Sequence, residues 1–259
     1  MDQTGARPRV LVTAAAAGIG RAIAEAFMAS GATVHVCDLS QALLGEFKSA
    51  YPLLGVTRAD VSDPAQVDRL FEDAETHMGG MDVLVNNVGV SGPTAAVDEV
   101  SIADWQATLA VNLNSHFYCV RKAVPLLKAA RGGSIISISS TAGLMGYPLR
   151  APYAASKWAL IGLTKTLAME LGEFKIRVNA VCPGSVEGPR MDRVIAAEAK
   201  ARNIAADTVR EGYQRQASLR TFVRARDIAN MVLFLCSEAG ERISGQALSV
   251  DGNIETARN

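Results

Sequence analysis

Short apolar runs alternate along the chain with longer stretches whose apolar positions recur every three or four residues. The short runs are Val10 to Val12, Thr33 to Cys37, Gly55 to Thr57, Val83 to Val85, Ile135 to Ile138, Val178 to Val181 and Ala247 to Val250. Most are rich in β-branched side chains, and each is read as a strand. Helical spacing follows in Arg21 to Ser30, and again where Val67, Leu70, Phe71 and Ala74 recur behind Ser62-Asp63-Pro64. That triplet is a helix start: a capping side chain, then a proline whose fixed φ suits the first turn. Strands that are apolar throughout are buried on both faces. Seven of them separated by helices predict a doubly wound α/β fold with a parallel sheet covered on both sides.

One long interruption, Pro183 to Ala225, separates the sixth strand from the last helix. It carries two helical patterns, about Asp192 to Asn203 and Ala205 to Ala217, and is read as a lid insertion spanning about 185–222. No repeat or linker breaks the pattern, so residues 1–259 are expected to form one domain.

Charge removes several function classes. Lys plus Arg and Asp plus Glu are both 26, and no basic run occurs. Nucleic acid and anionic membrane are therefore not expected as partners. No apolar stretch approaches the ~20 residues that cross a bilayer. Cys37, Cys119, Cys182 and Cys236 are far apart, without the spacing of a zinc site or a disulfide framework. They read as buried free thiols in a reducing compartment. His35, His77 and His116 show no ligand spacing, so no metal is expected. The polar segment Met1 to Arg9 lacks the apolar core of a signal peptide, which suggests a cytoplasmic protein.

The first strand gives way to Ala14-Ala-Ala-Ala-Gly18-Ile-Gly20 and then a helix. Glycines at a strand-to-helix junction leave backbone N–H groups and the positive end of the helix dipole facing an anion, with no side chain to keep a pyrophosphate away. About twenty residues later the second strand ends at Asp38. A carboxylate there accepts hydrogen bonds from the adenine ribose hydroxyls and repels a 2′-phosphate. No Arg or Lys lies in the Ala14–Gly18 loop or directly after Asp38, so the cofactor expected is NAD rather than NADP. Asp60 and Val61, closing the third strand, can meet the adenine amino group. Asn86-Asn87-Val88-Gly89 ends the fourth strand, where backbone must pass close to the cofactor's ribose.

Tyr153 and Lys157 are four residues apart in a helical segment, Pro152 to Leu171, and so share one face. An ammonium beside a phenol favours the phenolate and lowers its pKa from ~10. Such a tyrosine shuttles protons near neutral pH. Ser140, thirteen residues earlier, can hold a substrate oxygen close to it.

In the order of these motifs the chain resembles the short-chain dehydrogenase/reductase family, over about Arg9 to Asn253. The segments that carry the resemblance are Thr13 to Gly20, Asp60-Val61, Asn86 to Gly89, Asn112, Ser139-Ser140, Tyr153-Ala-Ala-Ser-Lys157, Asn179 to Gly184 and Val250-Asp-Gly252. The resemblance implies a Rossmann-type domain with seven parallel strands, assembled as a dimer or tetramer. It implies Tyr153 as general acid/base and Lys157 as the residue that lowers its pKa and binds the nicotinamide ribose. Ser140 would position the substrate oxygen, and Asn112 would hold a water linking Lys157 to solvent. The cofactor site expected from these segments comprises Thr13, Gly18, Ile19, Gly20, Asp38, Asp60, Val61, Asn87, Gly89, Tyr153, Lys157, Pro183, Gly184 and Val186. Two positions depart from the family pattern. Ala14 replaces the first loop glycine, and its methyl group crowds the turn. Gly188 stands where many relatives have a threonine that anchors the carboxamide; backbone of Val186 can take that role.

The reaction expected is hydride transfer between NAD and a small secondary alcohol or ketone (a polyol, sugar or hydroxy acid), running toward oxidation. Leu144 and Met145 are candidates for an apolar wall, with Tyr147 and Glu187 beside them. Arg150 or Arg190 can meet a carboxylate or sulfonate. Two alternatives stay open: an NADPH-dependent reductase of 3-oxoacyl carrier-protein type, and a non-catalytic NAD-binding regulator. Segments Ala103 to Lys128 and Pro152 to Gly172 are more apolar than one sheet face requires. They are expected to meet their symmetry mates in an isologous contact. A second interface, along Gln246 to Asn253, would complete a homotetramer.

Overall fold

The computed structural model describes residues 7–254; residues 1–6, which include most of the polar N-terminal segment, and 255–259 lie outside the description. The chain opens with β1 (Arg9–Val12), α1 (Gly18–Ala29), β2 (Thr33–Asp38), α2 (Gln41–Ala50), β3 (Gly55–Arg58), α3 (Pro64–Met78) and β4 (Val83–Asn86). It continues with α4 (Ile102–Leu109), α5 (Ser115–Ala129), β5 (Gly133–Ile138), α6 (Ala151–Leu171) and β6 (Ile176–Pro183). The lid helices α7 (Pro189–Arg202) and α8 (Ala206–Gln216) come next, then α9 (Ala225–Cys236) and β7 (Ala247–Val250).

The start signal before α3 works as read: Asp63 Oδ1 accepts from the Ala65 N–H at 2.9 Å, with Pro64 in the first turn. The helix stops at Gly79, whose φ of +70° closes it in the left-handed region. The segment expected as one helix over Ala103 to Lys128 is divided. Between α4 and α5, Ala110–Asn114 winds as a π turn. Such turns insert an extra residue and redirect the side chains they carry.

All seven strands are parallel, in the order β3-β2-β1-β4-β5-β6-β7. Successive residues supply opposite faces. Val10, Val12, Val34 and Ile136 pack with Ile23 and Phe27 of α1 and Ile228 and Val232 of α9. Leu11, Leu84, Ile135 and Val178 pack on the other side with Leu70 and Phe71 of α3 and Leu127 of α5. The strand order reverses between β1 and β4, which opens a crevice beyond their carboxyl ends. The lid carries a small core of its own, Met191, Ile195, Ala199, Val209 and Tyr213. Among the described residues no helix is long and apolar enough to cross a membrane.

Candidate active site

A cleft of about 1980 Å³ lies over the carboxyl ends of the strands and under the lid. At one end it is lined by Ala17, Gly18 and Ile19; Ser140, Tyr153 and Lys157 stand in its wall, and Pro183 to Arg190 close it.

The glycine loop is held from behind. Asn87 Nδ2 donates to the carbonyls of Thr13 (3.0 Å) and Ala14 (2.9 Å), while Thr13 Oγ1 accepts from the Asn87 N–H at 3.0 Å. A Cβ on Gly20 would lie within 2.8 Å of Asn87 Nδ2, Ala14 O and Ala15 Cα, so only glycine lets the loop and helix close. Ala14 has a φ of +50°, the left-handed region that an L-residue enters at a cost of about 1–2 kcal/mol. The crowded turn expected at this position is thus a strained backbone. α1 begins after Ala17 with no side-chain cap and no acidic residue in its first turn. Its leading N–H groups and positive dipole end face the cleft uncompensated, which fits a pyrophosphate.

Asp38 ends β2, half-buried. Its Oδ2 accepts from the Ala16 N–H and its Oδ1 from the Ser40 N–H, both at 3.1 Å, which fixes the carboxylate beside the loop. β2–β3 register places Arg58 directly alongside Asp38, where Arg58 Nε donates to Leu39 O at 3.2 Å. This arginine, the neighbour of Asp38 on the adjacent strand, was not visible from chain neighbours. Asp60 and Val61 lie just past the end of β3. Asp60 Oδ1 accepts from the Ser62 N–H and hydroxyl, and Val61 is buried in the core.

The catalytic candidates meet where β4, β5 and α6 converge. Lys157 is buried, and its Nζ donates to Ile138 O at 2.9 Å, 5.8 Å from the centre of the Tyr153 ring. Ser140 lies just beyond β5. Its hydroxyl accepts from the Ala142 N–H at 3.1 Å and helps to lower the pKa of the Tyr153 phenol. Burial alone would push that phenol up. The charges of Lys157, Arg190 and Arg150, with the Ser140 hydroxyl, outweigh it and hold Tyr153 below its ordinary value. Burial pulls Lys157 down to about 8, opposed by the phenol and reinforced by Arg190.

The π turn carries Asn112 into this centre. Its Oδ1 accepts from the Val90 N–H at 2.7 Å, and its Nδ2 donates to Val90 O (3.0 Å) and Ser156 Oγ (3.1 Å). Ser156 in turn donates to Tyr153 O at 2.7 Å. A Cβ on Gly89 would stand 3.2 Å from Lys157 Nζ and 3.4 Å from Asn112 Oδ1; the bare glycine keeps backbone and ammonium together.

Toward the lid, Met145, Tyr147, Arg150, Glu187 and Arg190 line the cleft. Leu144 does not: it is exposed, because the short 3₁₀ turn Thr141–Gly143 directs the chain outward there. Tyr147 Oη donates to Tyr213 Oη at 2.8 Å, and Tyr213 donates to Glu198 Oε2 at 2.7 Å. Gly188 has a φ of +127° and open space at its missing Cβ. A bridge between Val186 and Val223 pins this segment through Ser185 O and Glu187 N, leaving Val186's own N–H and C=O beside the cleft.

Ser156, Ser91, Tyr213, Glu198 and Arg58 were not singled out from sequence. Ser156 alone had a local signal, since it precedes Lys157 on the same helix. Among the described residues no group of His, Cys, Asp or Glu converges as a metal site. The four cysteines are free; three are buried and Cys236 is partly so.

Residues 13–253 match the family profile described as enoyl-(acyl carrier protein) reductase. The chain is 36% identical to trans-4-hydroxycyclohexanecarboxylate dehydrogenase of Sinomonas cyclohexanicum, over 96% of this chain and 93% of that protein. It is also 36% identical to a 3-oxoacyl-acyl-carrier-protein reductase of Thermotoga maritima, over 94% of this chain and 96% of that protein. A solved variant of actinorhodin polyketide ketoreductase with NADPH superimposes with a TM-score of 0.92 at 28% identity, covering 96% of this chain and 98% of that one.

Proposed function

Because the chain belongs to the short-chain dehydrogenase/reductase family, whose members act on CH–OH or keto groups, we propose that it is an NAD-dependent oxidoreductase of small secondary alcohols and ketones. Polyols, sugars and hydroxy acids are the substrate classes in view. One observation carries the reading: Ser140, Tyr153 and Lys157 meet in the wall of a cleft whose far end is the uncapped start of α1. A nicotinamide dinucleotide, when bound, supplies the hydride acceptor or donor. Gly18, Ile19 and the first turn of α1 would hold its pyrophosphate, braced by Thr13 and Gly20, and Asp38 its adenine ribose, with Asp60 and Val61 flanking the adenine. Gly89, Asn87 and Lys157 would take the nicotinamide ribose. Pro183, Gly184 and the free backbone of Val186 would take the carboxamide, since Gly188 offers no side chain.

In oxidation the alcohol oxygen lies between Ser140 and Tyr153. The carbinol C–H leaves as hydride, and the O–H proton passes to the Tyr153 phenolate. Lys157 keeps that phenolate accessible near neutral pH. Asn112 braces Val90 and Ser156, and a water in its π turn would pass the proton that Tyr153 gains on to solvent by way of Lys157.

A second reading, NADPH-dependent reduction of a 3-oxoacyl carrier-protein substrate, has Arg58 in its favour: it is Asp38's neighbour on the adjacent strand, and a guanidinium there can meet a 2′-phosphate. Asp38 is closer to the loop and fixed by two backbone bonds, so NAD is preferred. A non-catalytic regulator has no need of the Ser140, Tyr153 and Lys157 set. Exposed Ile102, Trp105, Phe117 and Trp158 on α4, α5 and α6 support a homotetramer built on those helices, with the β7 region as second interface. A monomer by light scattering at micromolar concentration would refute it. The free thiols suit a reducing cytoplasm.

The test is a screen of polyols, sugars and hydroxy acids with NAD⁺ and NADP⁺, following reduced cofactor. NAD⁺ is expected to give at least about tenfold higher kcat/KM, a difference of about 1.4 kcal/mol. Asp38→Ala should shrink it. Equal efficiency with both cofactors sinks the NAD assignment.

A further inference from the structure

Arg150 stands at the N-cap position of α6, three residues before Tyr153, makes no side-chain capping bond and is only 5% exposed. Its guanidinium carbon lies 5.0 Å from the centre of the Tyr153 ring and 5.9 Å from that of Tyr147. Nη2 donates to Ser91 O at 2.7 Å, while Nε is buried with no hydrogen-bond partner. Among the described residues no carboxylate forms an ion pair with it. A guanidinium this deeply buried and this incompletely bonded is costly to keep in a folded chain.

Arg190, in the first turn of α7, lines the same cleft and is likewise without an ion pair among the described residues. Three of the lid's acids, Asp192, Glu198 and Glu211, are engaged elsewhere. Glu198 bonds Arg202 and accepts from Tyr213, and Asp192 pairs with Arg210. Glu187 lines the cleft and forms no ion pair with either arginine among the described residues, and Arg224 is already paired with Asp227. Arg150 and Arg190 therefore face the cleft without an ion-pair partner among the described residues.

We propose that the substrate brings it: a hydroxy acid, or the matching oxo acid, whose carboxylate is held by Arg150 and Arg190 while its alcohol oxygen lies between Ser140 and Tyr153. This rests on the oxidoreductase reading above and narrows its substrate class. A planar carboxylate suits the forked donors of arginine, and burial strengthens the pairing. The step itself is unchanged: the carbinol is oxidised to a ketone, its hydride reduces the nicotinamide, and its proton goes to Tyr153. The carboxylate stays intact as the handle that sets which carbon reacts.

The experiment uses the whole chain and a matched series, 2-, 3- and 4-hydroxypentanoate, each beside its primary amide, with 2-pentanol as the uncharged alcohol. For at least one position the acid should exceed its amide by about tenfold or more in kcat/KM, mostly through KM. Arg150→Met should bring the acid-to-amide ratio toward one, and Arg150→Lys should retain part of it. Arg190→Met, on the exposed lid, should lower the same ratio even if burial makes Arg150→Met fold poorly. Independently of turnover, calorimetry should show pentanoate binding to the protein with NADH, weakened in Arg190→Met. Amides or 2-pentanol oxidised as well as every acid, or no pentanoate binding to a protein that binds NADH, would overturn the proposal and leave the oxidoreductase reading standing. Failure to bind NADH or NADPH, with no alcohol oxidised, would overturn both.

Discussion

The two ends of the cleft are built on different principles. Around β1 and β4 the polar side chains bond backbone at short range: Asn87 to the Thr13 and Ala14 carbonyls, Asp38 to the Ala16 and Ser40 N–H groups, Asn112 to both backbone atoms of Val90. Around the lid, α7 and α8 share a small core and the largely exposed ion pair Arg210–Asp192. Exposed pairs contribute little. What ties the lid to the loop before α6 is the Tyr147–Tyr213–Glu198 chain of hydroxyls. The cofactor end is rigid because it must present a fixed backbone surface to one invariant molecule. The substrate end is held by a few side-chain bonds, so its shape can differ between relatives without disturbing the sheet.

The largest effect that can break this contrast is at their junction. Tyr153→Phe should cost about 10²–10⁴ in kcat, with NADH affinity nearly unchanged by fluorescence titration, because the phenol is not the main cofactor contact. In the unsubstituted enzyme the oxidation rate should rise with pH, since the phenolate is the proton acceptor. Its apparent pKa, shared by Tyr153 and Lys157, should lie below the ordinary ~10 of a phenol. Lys157→Ala should move that profile upward and weaken cofactor binding together. Retention of most activity in Tyr153→Phe would undo the role assignment, and Glu187 would be the first alternative base to examine.

A smaller effect separates the two ends. Tyr213→Phe removes both links of the lid chain, each worth about 1 kcal/mol. It should raise KM several-fold and speed amide hydrogen exchange across α7 and α8, leaving exchange in β1 and β4 as before. Faster exchange spread evenly over the sheet would show that the ends are not separable.

The smallest effect lies within the rigid end. Ala14→Gly relieves the left-handed alanine and should stabilise the fold by up to about 1 kcal/mol, partly offset by the freer unfolded chain. Thermal melting should shift upward by a few degrees or stay level. A clear fall in melting temperature would mean that the Ala14 methyl makes contacts that outweigh its backbone strain.

Much of the cofactor end was legible because its signals are local. Short continuous apolar runs mark strands, Gly18 and Gly20 mark a turn that excludes side chains, and a spacing of four puts Tyr153 and Lys157 on one helical face. Those features are set within one or two turns of chain, so the sequence by itself determined the seven strands, the order of the motifs and the Tyr153–Lys157 pair. Tertiary structure decided the rest. Strand register brought Arg58 beside Asp38. The π turn aimed Asn112 at Val90 and Ser156, where periodicity read one unbroken helix. Leu144 turned outward, and Arg150, 59 residues from its partner Ser91, was buried against Tyr153. Tyr147 and Tyr213 met across 66 residues. Contacts of that range follow from how packed elements cross in space, and a one-dimensional pattern of apolar and polar positions carries no record of the crossing.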